Sequence, residues 1–123
     1  MVQIGTRLRA CDNSGAIHCK CIKVLGNRAP NKQAHLGDRI VLSVLSARSD
    51  KKIKKHDVQI GVLARTTTRT LRPNGLIFYN KRNAVIILDK KDKPVATRIF
   101  GAVTHELRFR RFTKILTMAS CIV

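Results

Sequence analysis

Positive charge is spread along the whole of this chain, and that spread limits what it can become. Lysine and arginine number 25 against 7 acidic residues, a formal net charge of +18 in 123 residues. Twelve of the basic residues lie at or before Lys55 and thirteen at or after Arg65, so the excess is not confined to a tail. Hydrophobic residues still make up 44% of the sequence, enough for a packed core. The fold must therefore carry cations over nearly all of its surface, and a polyanionic partner would relieve their mutual repulsion. Nucleic acid is the partner that this balance favours.

The length suits one domain, residues 1–123, able to bury a core without staples. The longest apolar runs, such as Ala84 to Leu88, are too short to span a bilayer, so no membrane partner is expected. The first residues lack both the apolar run of a secretory signal and an Arg- and Ser-rich amphipathic leader. Either the protein is made where it works or a presequence has been removed. Cys19 and Cys21 are spaced C-x-C, while Cys11 and Cys121 stand alone, which does not match the C-x(2–4)-C pairs of zinc sites. In an extended strand Cys19 and Cys21 share one face, with His18 and Lys20 on the other. Reduced, packed thiols are expected, with no metal and no cofactor.

The pattern is mostly short strands. Ile17 to Leu25, Arg39 to Ser46, Val58 to Thr66, Leu76 to Tyr79 and Ala84 to Asp89 are each apolar or alternating. Within the third, Val58, Ile60, Val62 and Ala64 fall on one face at period two. Turn signals separate them: Asp12-Asn13-Ser14-Gly15, Gly37-Asp38, Pro73-Asn74-Gly75 and Asp92-Lys93-Pro94. The spacing suits an all-β barrel or sandwich. From Thr104 to Ala119 the alternation stops, and one or two short basic helices are predicted, with Thr104 as N-cap and Glu106 in the first turn.

No HExxH, Gly-x-Ser-x-Gly or P-loop occurs, and Asp12 and Asp38 read as turn-formers rather than a catalytic pair, so no enzyme is expected. The basic residues carry the chemistry. Lys51, Lys52, Lys54 and Lys55 crowd one inter-strand loop. Arg65, Arg69 and Arg72 form a second group, with Thr66, Thr67 and Thr68 as hydroxyl donors to phosphate. Arg108, Arg110 and Arg111, with Lys114, make a third on the helical tail. Arg7, Arg9, Lys20, Lys23, Arg28, Lys32, Arg48, Lys81 and Arg82 complete the positions assigned to RNA. Arginine suits fixed bidentate phosphate contacts and lysine a softer point charge.

Aromatic residues are few: Phe78, Tyr79, Phe100, Phe109 and Phe112. Phe78 and Tyr79 face opposite ways in a strand, so a stacking platform is not built there, and Phe109 and Phe112 are expected to pack the tail onto the barrel. Structured nucleic acid read through backbone and shape is favoured over single strands. The alternative is a free nucleic-acid module, such as a barrel chaperone for single-stranded RNA.

The segments CDNSGA at 11–16, KCIKVLG at 20–26, LGD at 36–38, IKKHDV at 53–58, ARTTTRTLRPNG at 64–75, RNAVIIL at 82–88, ATRIFGAVTHELR at 96–108 and RFTKIL at 111–116 resemble, in order, the universal large-subunit ribosomal protein number fourteen family. The chain departs from that pattern at His56, where the family has glycine, and at Asn74-Gly75 in place of Asp-Gly. It departs further at Asn80 to Arg82, at Ala102 in place of proline, and at Ser120-Cys121. The resemblance implies a mainly β fold: a small five-stranded β-barrel with a hairpin extension and one or two short C-terminal helices. It implies a structural, rRNA-binding role in the large subunit, on the face meeting the small subunit. Its expected partners are large-subunit rRNA, small-subunit rRNA across an intersubunit bridge, neighbouring ribosomal proteins and a ribosome-silencing factor. The family positions for that factor match Thr97, Arg98 and Lys114. The bacterial-type length, lysine-rich substitutions and four cysteines point to a mitochondrial ribosome, with a bacterial or plastid ribosome as the alternative.

Overall fold

Leu8 and Ala10 point inward while Arg7 and Arg9 point out, and this alternation in strand β1 (Arg7–Ala10) sets the plan of the molecule. The computed structural model describes residues 2–26 and 33–123, so Arg28 and Lys32 lie outside the described residues. Strands β2 (Ala16–Val24), β3 (Arg39–Ala47), β4 (Val58–Arg65) and β7 (Ala84–Leu88) join β1 in a closed five-stranded barrel, order β1-β2-β3-β4-β7. The choice between barrel and sandwich is made by β1 and β7, which pair in parallel with Arg9 opposite Ala84 and Ala10 opposite Val85. Closure leaves no exposed ladder edge in this sheet.

Two cores share the wall formed by β4 and β7. Inside the barrel, Leu8, Ile40, Leu42, Val44, Leu63, Val85 and Ile87 pack with Cys19 and Cys21. On the outer face of the same wall, Val62, Ala64, Ala84, Ile86 and Leu88 pack against a second layer. That layer comprises β8 (Ile99–Val103), α1 (Glu106–Phe109), α2 (Thr113–Met118) and β9 (Ala119–Ile122), contributing Ile99, Val103, Leu107, Ile115 and Leu116. The period-two face expected of Val58, Ile60, Val62 and Ala64 is therefore not the barrel interior. Val62 and Ala64 cover the outside, Leu63 fills the inside, and Val58 is exposed.

Cys19 and Cys21 face inward as the strand geometry predicts, and all four cysteines are free thiols. Burial pushes the Cys11 and Cys19 thiols up to about 11, so both stay protonated and behave as small hydrophobes. Asp12 forms the expected turn, accepting from the Ser14 hydroxyl at 2.6 Å, and also ties that turn to the barrel by accepting from the Ile87 amide at 2.8 Å. Burial raises its carboxyl above the ordinary value, against the pull of these bonds.

Short strands β5 (Thr70–Leu71) and β6 (Ile77–Phe78) make the hairpin that projects from the barrel. Gly75 turns it at φ 80°, a left-handed conformation that suits glycine. His56, where the resembled family has glycine, also lies in the left-handed region at φ 70°. The Arg72 fork on the hairpin clamps it to the second layer. Nε bonds Glu106 Oε1 at 2.6 Å, and Nη2 bonds Oε2 at 3.0 Å and the Val123 carbonyl at 2.9 Å.

The C-terminal helices form with different ends from those expected. Thr104 is fully buried, and its hydroxyl donates to the Ala64 carbonyl at 3.4 Å. His105 occupies the N-cap without a side-chain bond, because burying Thr104 against β4 removes it from capping. Phe112 packs on the second core, but Phe109 ends α1 and is 79% exposed, so only one of the two rings packs the tail as expected.

Two stability effects are expected. A Cβ at Gly61 would come within 2.7 Å of Val85 Cγ2, 2.8 Å of Leu42 Cδ1 and 2.9 Å of the Ile86 carbonyl. Gly61→Ala is expected to destabilise by about 1–3 kcal/mol in denaturant unfolding. Burial raises the Glu106 carboxyl, but the hydrogen bond and charge of Arg72 outweigh it and hold the group below its ordinary 4.5. A carboxyl depressed by folding contributes stability above its unfolded value and loses it as pH falls through the folded one. Glu106→Gln is expected to cost about 1 kcal/mol at neutral pH. The gap to the wild-type chain should close on the acid side of pH 4.5, as followed by thermal unfolding against pH.

Candidate nucleic-acid interface

A group of cations without ion pairs lies on the outer face of β1 and β2. Alternation sends Arg7, Arg9, His18 and Lys20 outward, and antiparallel pairing sets Arg7 opposite Lys20 and Arg9 opposite His18. The directly opposed like charges of Arg7 and Lys20 destabilise a sheet unless an anion lies over them. A bulge between Cys21 and Lys23 turns Lys23 to solvent, where strict alternation would bury it. Among the described residues Arg7, Arg9, Lys20 and Lys23 form no ion pair. His18 was missing from the sequence assignment, although its i, i+2 spacing to Lys20 marks it.

Five of the seven acidic residues are occupied elsewhere. Asp38 accepts from the His35 amide at 2.9 Å and lies 3.2 Å from Arg110. Asp92 meets Arg39 at 3.0 Å, and Glu106 holds Arg72. Asp57 accepts from the Lys54 amide at 2.9 Å. Asp12 is buried in its own bonds. Few carboxylates are left to screen the surface, and the positive field extends into solvent.

The 51–55 loop is less loose than a lysine run suggests. Ile53 is 4% exposed and plugs into the inner core, so the lysines fan out from a fixed anchor. Lys52, Lys54 and Lys55 are exposed, while Lys51 is half-buried and lies over Gly15, whose φ of 111° brings it close. Arg48 sits at the same end of the barrel, its amide donating to the Gly15 carbonyl at 2.9 Å.

The arginines of the second and third groups divide by use. Arg65 donates from Nε to the Ala102 carbonyl at 2.6 Å and from Nη2 to the Phe100 carbonyl. Arg72 grips Glu106 and Arg110 pairs with Asp38, so three of the planar forks are engaged within the chain. Arg69 lies over the Tyr79 ring at 5.9 Å, exposed. Arg108 and Arg111 are exposed on and just after α1, and Arg111 turns the chain toward α2 at φ 65°. Lys81 and Arg82 are exposed between the hairpin and β7. Of the three threonines, only Thr67 is exposed. Thr66 is buried and its hydroxyl oxygen accepts from the Thr68 amide at 3.1 Å, and the Thr68 hydroxyl is also buried, which removes both from phosphate.

Thr97, Arg98 and Lys114 are all exposed. Thr97 and Arg98 immediately precede β8, and the parallel pairing of Ile99 with Ala119 lays the C-terminal end of α2 beside that point, with Lys114 in the first turn of the same six-residue helix.

These features describe a rigid barrel whose wall, loop ends and tail present cations in fixed places. The family model for ribosomal protein L14p/L23e matches residues 1–123, the whole chain. The five-stranded barrel, the hairpin and the two short C-terminal helices agree with what the resemblance implied. The chain belongs to the ribosomal protein L14p/L23e family, a structural, non-enzymatic kind of protein, and is thus a structural constituent of the large ribosomal subunit that serves translation.

Proposed function

We propose that this protein is held in the large subunit by rRNA phosphates lying across the β1–β2 face, with the 51–55 loop and the α1–α2 tail as flanking contacts. The observation that carries this reading is the pairing of Arg7 with Lys20 and of Arg9 with His18 on a wall where no carboxylate meets them among the described residues. Arg48, Arg69, Lys81, Arg82, Arg108 and Arg111 extend the same surface. Arg65, Arg72 and Arg110 support it by fixing the elements that carry it.

The finer reading follows from family membership and from the exposed positions. The protein faces the small subunit, contributes to a bridge with small-subunit rRNA, touches neighbouring large-subunit proteins, and docks a ribosome-silencing factor through Thr97, Arg98 and Lys114. The four cysteines, all free thiols, and the lysine-rich departures favour a mitochondrial ribosome. Comparing mitochondrial with cytosolic ribosomes from the source cells would decide that point.

Replacing both Arg7 and Lys20 with Gln should weaken binding to in vitro transcribed large-subunit rRNA. It should also lower the slope of log affinity against log salt by about 2, since each phosphate contact contributes about one. An unchanged slope would overturn the assignment of this face. Arg98→Ala with Lys114→Ala should reduce silencing-factor binding to isolated large subunits at least about tenfold while the chain still co-sediments with them, each lost charge-assisted contact being worth about 1.5–3 kcal/mol. Equal loss of factor binding and incorporation would reassign both residues to rRNA.

A further inference from the structure

Phe100 is the exposed aromatic whose surroundings have no structural explanation in the barrel or its second layer. It lies in β8 between buried Ile99 and exposed Gly101, and is itself 51% exposed. The backbone that carries it is held on both sides. Its amide donates to the Cys11 carbonyl at 2.7 Å, and its own carbonyl accepts from Arg65 Nη2. Arg65 Nε bonds the Ala102 carbonyl on the far side of Gly101 at 2.6 Å. Gly101, at φ 76°, makes room for that fork, since a Cβ there would fall 2.7 Å from Nη2. An arginine on a cationic surface is thus engaged in fixing the backbone under one ring.

Two clefts share Phe100 and Arg9 in their walls. One, of about 250 Å³, is bounded also by Arg65, Arg82 and Cys11. The other, of about 100 Å³, is bounded by Arg48 and Asp12. Arg9, Arg48 and Arg82 are exposed and have no side-chain partner among the described residues. Asp12 is buried at this cleft, one carboxylate oxygen accepting from Ser14 and the other from the Ile87 amide, and the three exposed arginines outnumber it. The arrangement is an exposed aromatic ring, on a backbone held from both sides, in clefts that are also lined by arginines. An apolar peptide would leave those charges desolvated and unmet, and a bare phosphate would have no use for the ring. A nucleotide satisfies both, with its base on the ring and its phosphates on the arginines.

We propose that the Phe100 cleft receives one unstacked base of the rRNA, laid on the Phe100 ring, with the flanking phosphates held by Arg9, Arg48 and Arg82. This rests on the rRNA-binding reading above and adds to it a single-nucleotide contact that a shape-only binder lacks. It also explains why Arg65 turns inward, as the residue that positions the platform.

Two measurements test it. Native large subunits irradiated at 254 nm should yield the peptide spanning Phe100 with a covalently attached nucleotide, read by mass spectrometry. In binding to in vitro transcribed large-subunit rRNA, Phe100→Leu should lose about tenfold or more in affinity. Its salt slope should stay unchanged, because no charge is removed, and Phe100→Tyr should retain wild-type affinity. Thermal unfolding of the Leu variant shows whether it is folded, and the cross-link needs no variant. Absence of a nucleotide on that peptide, a cross-link to a protein instead, or unchanged affinity of Phe100→Leu would overturn the proposal. If Arg7→Gln with Lys20→Gln still weakens binding in that case, the general rRNA reading stands without the base contact. If the wild-type chain itself fails to bind the rRNA, both readings fall.

Discussion

The strand Ala84–Leu88 is buried along its whole length and on both faces, and the rest of the molecule is arranged around that fact. Val85 and Ile87 face the barrel interior, while Ala84, Ile86 and Leu88 face the helical layer. A strand clothed on both sides has no use for polar residues, which is why five apolar residues run together without alternation. Its two ladders differ in kind. It pairs antiparallel with β4 and parallel with β1, and the parallel pair closes the barrel. Asp12 reinforces that closure through the Ile87 amide, joining the first turn to the central strand. Removing apolar area from this strand would loosen two cores at once.

This arrangement explains which parts of the fold were legible in the residues. The long strands β2, β3, β4 and β7 announce themselves by β-branched runs between turn signals, and their boundaries fall within a residue or two of those expected. The inward pair Cys19 and Cys21 follows from period two alone. The face of β4 does not, because a strand serving two cores is apolar on both sides, and periodicity cannot say which side is the inside. Strand β1 is too short, and too charged at Arg7 and Arg9, to stand out as a strand. Strands β8 and β9 pair in parallel across two helices, a contact that no local pattern signals. Thr104 illustrates tertiary packing overriding a capping preference, since its hydroxyl finds a carbonyl of β4 instead.

The site was legible in its chemistry and not in its wiring. Net charge and lysine-arginine clusters pointed to RNA, but arginine's planar fork serves a carbonyl or a carboxylate as readily as a phosphate. Only the three-dimensional contacts separate Arg65, Arg72 and Arg110, whose forks meet Phe100, Glu106 and Asp38, from Arg7, Arg9 and Arg48. Phe100 was visible as a residue, yet its significance depends on Arg65 gripping the backbone beneath it, thirty-five positions away in sequence.

The distribution of acids gives the surface a direction. Each described ion pair crosses between parts of the fold. Arg39 at the start of β3 meets Asp92 in the turn after β7, Arg72 on the hairpin meets Glu106 on α1, and Arg110 after α1 meets Asp38 before β3. The last two fasten the second layer to the hairpin and to the barrel, and the first joins two parts of the barrel. The β1–β2 wall has cations alone among the described residues, set across from one another by the register. Self-repulsion is therefore concentrated where no internal bond offsets it, and a bound polyanion gains most on that side. The carboxylates of Asp38 and Glu106, engaged with Arg110 and Arg72, leave the cations of the β1–β2 wall without an internal counter-charge among the described residues.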